Sequence, residues 1–63
     1  MNSKLRWELA RLSRSIAMFR AAAVEMRAAK TDGKRLEAFR EADVAIFTAS
    51  EACRALESLL EPQ

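Results

Sequence analysis

Four glutamates, one cysteine and a tryptophan set among arginines are the side chains whose types and spacing bear on chemistry in this 63-residue chain. Glu37 and Glu41 stand one helical turn apart, as do Glu57 and Glu61. Acid–base catalysis by such a pair needs a cleft that drives the two protonation equilibria apart. No run of residues here supplies the walls of one, and spacing by four is also that of a solvated helix face, which is the reading adopted. Histidine and tyrosine are absent, so there is no imidazole base, and with a single cysteine a conventional zinc site is not expected. The single glycine, Gly33, cannot build a phosphate-cradling loop. Cys53 is alone, which rules out an internal disulfide, and it is expected to be a small buried hydrophobe. The expected protein is a non-enzyme without cofactor or metal ion.

Trp7, Arg11, Arg14 and Met18 are a different matter. At i, i+4, i+7 and i+11 they form one line along a helix, half apolar and half cationic. Tryptophan and arginine dominate binding hot spots, so the line is a candidate partner-binding surface. The alternative is that Trp7 closes the end of a dimer core. Leu36 and Phe47 form a second candidate patch on the other half of the chain, and Asp43 is a candidate to pair with an arginine across a hairpin or dimer.

The elements that must carry these residues are helices. The chain is 51% apolar, much of it alanine, with one proline and no β-branched run, so the expected class is all-α. Thr31-Asp32-Gly33 is the strongest punctuation, combining capping residues with a glycine. One unit spanning 1–63 is expected: helix 1 over about 3–30 starting at Asn2 or Ser3, a turn at about 31–33, and helix 2 over about 34–61 ended by Pro62. In helix 1, Leu5, Leu9, Leu12, Ile16, Phe19, Ala23 and Met26 step by four and three, the pattern of a heptad seam. In helix 2, Phe39, Ala42, Ile46, Ala49, Cys53, Leu56 and Leu60 do the same, beside a stripe of Ala38, Ala45, Ala52 and Leu59. An antiparallel two-helix hairpin follows. Because two helices leave apolar faces uncovered, it is expected to dimerise into a four-helix bundle.

Charge is uneven: residues 1–30 carry seven basic and two acidic groups, and residues 31–63 carry four basic and seven acidic. The two halves can attract one another, or the basic half can serve a partner. The longest apolar runs, such as Ile16 to Phe19 and Ala21 to Val24, are four residues each, so no membrane span and no secretory core is expected, and a cytoplasmic protein is the default. The amphipathic, Arg- and Ser-containing start has the composition of a mitochondrial targeting peptide, but Glu8 interrupts it.

In architecture the chain resembles the plasmid-encoded repressor-of-primer family, short antiparallel hairpins that dimerise and bind paired RNA loops. Its small size, Ala/Arg-rich composition and lack of catalytic groups are also similar to bacteriophage accessory proteins that disable host regulators, such as anti-quorum-sensing inhibitors of transcription factors. The second resemblance implies an inhibitor that works by stoichiometric association with a protein, for instance a transcription regulator. The alternative, read from the residues themselves, is RNA or DNA binding in which Arg6, Arg11, Arg14, Arg20 and Arg27 of helix 1 contact phosphates. Lying on a membrane surface through helix 1 is the weakest option, since the residues to insert are those the hairpin must bury.

Overall fold

A computed structural model describes residues 2–62 and consists of two α-helices, α1 (Ser3–Ala28) and α2 (Asp32–Leu60), packed antiparallel as a hairpin. The rod measures 50 × 16 × 11 Å. Its radius of gyration, 14.6 Å, compares with about 10.6 Å for a compact globule of this length, so nearly every residue stands close to solvent.

Local chemistry sets the helix ends. Asn2 caps α1, its side-chain oxygen accepting from the backbone N–H of Lys4 at 2.7 Å and of Leu5 at 3.4 Å. Thr31 caps α2, its hydroxyl accepting from the N–H of Lys34 at 3.2 Å, with Asp32 placing negative charge in the first turn. The reversal therefore occupies Ala29–Thr31, two residues before the expected 31–33, and Gly33 is already helical with no positive φ. Thr31 decides this: once its hydroxyl satisfies a first-turn N–H, the helix begins at the next residue and the glycine is not needed to turn the chain. Arg35 then ties the corner, donating to Asp32 at 2.8 Å and to the carbonyl of Ala29 at 3.0 Å, where the C-terminus of α1 favours a cation. Thr31→Ala is expected to cost about 1 kcal/mol, read as a lower urea midpoint with an unchanged slope.

The helices meet along a line of small side chains. Ala38, Ala42, Ala45, Ala52 and Leu56 of α2 are buried against Glu8, Ser15 and Ala22 of α1. This differs from the expected seam of α1. Leu9, Ile16 and Phe19 are exposed, and Leu5, Leu12, Ala23 and Met26 are only half-buried. On α2, Phe39, Ile46, Cys53 and Leu60 are likewise exposed. An alanine surface lets backbones approach closely, and at close approach the central line has little room for large side chains, so most of them are displaced to the flanks; Leu56 and Glu8 are the exceptions, both towards the end of the hairpin away from the turn. Ser15 fits because its hydroxyl donates to the carbonyl of Arg11 at 2.9 Å, leaving no orphaned polar atom.

Candidate functional site

The displaced side chains define two unlike faces. On one, Ile16 and Phe19 of α1 and Ile46, Ala49 and Cys53 of α2 line a single groove, so both expected heptad seams open onto the same side of the hairpin. Leu9 and Phe39 extend this apolar face towards its two ends, each seven residues from an isoleucine of the groove. Cys53 thus lies on an exposed face and not in the buried line expected for it.

The other face carries the candidate partner site. Trp7, Arg14 and Met18 are exposed along α1, Trp7 at 55%. Met18 faces Arg40, Glu41 and Val44 across the second groove of the hairpin. Arg11 has a structural task within this line. Its guanidinium lies 2.9 Å from a carboxylate oxygen of Glu8 and 5.3 Å from the centre of the Trp7 ring, so one cation neutralises a buried anion and braces an exposed aromatic. Arg11 is half-buried as a result.

Leu36 and Phe47 do not join that line. Both are exposed, Phe47 at 65%, but by helical phase they lie on the outer edge of α2, roughly opposite its buried alanines. The six candidates therefore form one coherent face on α1 and a separate patch on α2. Sequence reasoning missed Glu8. Its signal was its register, seven residues before Ser15 and fourteen before Ala22, together with an arginine three residues on.

The paired glutamates are all exposed, and Glu37 and Glu41 border a shallow groove at the turn end. Asp43 makes no ion pair within the described residues, where the two pairs formed are Glu8–Arg11 and Asp32–Arg35. Among those residues no group of three acidic, cysteine or histidine side chains stands together to hold a metal ion, and no helix is long and apolar enough to cross a membrane. Compared with known proteins, the chain matches no family model, no curated protein and no solved structure.

Proposed function

We propose that the chain is a non-enzymatic interaction module that acts as a homodimer and regulates or inhibits a protein target, such as a transcription regulator, by stoichiometric association. The observation that carries this reading is the Trp7 ring, more than half exposed yet braced by Arg11 on a rigid helix. A large aromatic held in one orientation loses little entropy on binding, and beside Arg14 and Met18 it forms a compact anchor of the residue types that carry interface energy. Arg11 positions the anchor, and Leu36 with Phe47 provide a secondary contact on the outer edge of α2. The apolar groove side is left for self-association.

The experiment is capture of binding partners from host lysate by the tagged chain, with and without nuclease, alongside a variant carrying Trp7→Ala and Arg14→Glu. One protein retained stoichiometrically after nuclease, and lost by about a hundredfold or more in affinity with the double variant, is the expected result. Helix content and oligomeric state should not change. A bound fraction that vanishes with nuclease, with affinity falling steeply as salt rises, would overturn the reading in favour of nucleic acid on the arginines of α1.

A further inference from the structure

We propose that two hairpins join through their apolar groove faces with their turns at the same end, each α1 antiparallel to the partner's α2, and that Arg6–Glu57 and Arg20–Asp43 pairs between copies select this arrangement. The inference deepens the self-association proposed above and rests on it.

Surface area points to a second copy. A folded monomer of 7.1 kDa should expose about 4,100 Å², whereas this chain exposes 5142 Å². The surplus of about 1,000 Å² exceeds the roughly 800 Å² that each partner contributes to a standard interface. The apolar face is where that surplus is least favourable in water, and two such faces placed together bury each other as a four-helix bundle.

Charge then chooses among the ways of joining them. Arg6, Ser13, Arg20 and Arg27 repeat every seven residues along the edge of α1 that borders the apolar face; Ser13 and Arg20 stand one turn beyond Leu9 and Ile16. Asp43, Ser50 and Glu57 repeat in the same way on α2, one turn beyond Phe39, Ile46 and Cys53, and Ser50 borders the groove itself. The α1 edge is basic, and the α2 edge is acidic at Asp43 and Glu57 with one cation, Arg54, at the groove between them; such opposite signs at flanking positions are how helical bundles choose their partners.

Register agrees with the sign of the charges. Across the hairpin, residues whose numbers add to about 63 stand level at the helical rise, as Ala22 does with Glu41 and Glu25 with Ala38. A two-fold axis along the rod keeps those levels between copies. It sets Arg6 against Glu57, Ser13 against Ser50 and Arg20 against Asp43. In the core it sets Ile16 against Ile46, and the large Phe39 against the small Ala23. Turning one hairpin end over end instead lays α1 on α1 and α2 on α2, so that arginines face arginines and carboxylates face carboxylates. Like charges on facing edges disfavour that bundle.

Two measurements on the full chain test this. In sedimentation equilibrium, Arg20→Asp and Asp43→Arg should each weaken dimerisation about tenfold, because two symmetry-related pairs become repulsive, and the double variant should return to within about threefold of the parent. Separately, Gly33→Cys with Cys53→Ala places one spin label beside the turn, at a position where an added side chain meets nothing within 4 Å. The label-to-label distance should be below about 25 Å for turns at one end of a bundle, against a value approaching the 50 Å rod length for turns at opposite ends. A distance near 50 Å, a dimer tightened by Arg20→Asp, or affinities unmoved by all three variants would overturn the arrangement while leaving self-association standing. A monomer at every concentration would overturn both, without touching the Trp7 anchor.

Discussion

Arg11→Ala should destabilise the hairpin by about 3 kcal/mol or more, whereas Glu8→Leu should be neutral or stabilising by about 1 kcal/mol or more. The two residues form one ion pair, yet the expected signs differ. The Glu8 side chain is 4% exposed and that of Arg11 is 25% exposed. Removing the arginine leaves a carboxylate that is largely shielded from water with its counter-charge gone. Removing the carboxylate leaves an arginine that can swing to solvent, while leucine at position 8 joins the contact at the end away from the turn, where the line already holds Leu56. Typical stabilities for a chain of this length are about 3–9 kcal/mol, so the first change should leave little folded protein at 37 °C. Urea unfolding followed by circular dichroism measures both. Glu8→Leu with Arg11→Ala should recover most of the loss, a strongly non-additive cycle. If Arg11→Ala costs no more than an ordinary surface substitution, about 0.5 kcal/mol, the carboxylate is not sequestered and Arg11 does not serve it. The sole tryptophan supplies a second readout, since the Trp7 ring loses its brace when Arg11 is truncated.

Ala52→Leu should lower the melting temperature by about 12–24 °C, corresponding to roughly 3 kcal/mol of overpacking in so small a chain. Ala52 is 0% exposed and lies in the line where the helices are closest, with Ala45 and Leu56 one or two turns away. Leucine there adds three carbons to a space that holds none. The helices must separate along their length or the side chain must leave its preferred rotamer. Glu51→Leu, one residue along and exposed, controls for the change in helix propensity and should shift the transition by only a few degrees. A small shift for Ala52→Leu would mean that the alanine line is not the contact.

Much of the architecture was legible because it depends on short-range chemistry. Thr31, Asp32 and Gly33 announced a reversal, although they did not show that Thr31 would cap the following helix and move the turn back to Ala29–Thr31. The heptad spacing of Leu9, Ile16 and Phe19, and of Phe39, Ile46 and Cys53, correctly marked apolar stripes, but not which surface each stripe meets. Periodicity records that a face avoids water and is silent on whether the helix beside it or another surface covers that face. Trp7, Arg14 and Met18 could be grouped from spacing alone, since neighbours on one helix face follow from 3.6 residues per turn. The separation of Leu36 and Phe47 from them could not, because it depends on how α2 is rotated against α1.

Composition and spacing by themselves determined that this protein is helical and that it reverses once, because propensity and capping act within a few residues of each position. Only the tertiary structure decided that alanines, a serine, Leu56 and an arginine-paired glutamate occupy the contact while most of the large apolar side chains stand on its flanks. The reason is steric. Along the middle of the hairpin, two backbones drawn together on an alanine surface leave little room between them for large side chains; Glu8, with Arg11 as its partner, and Leu56 enter the contact only towards the end away from the turn, and Trp7 stays outside, braced by the same arginine.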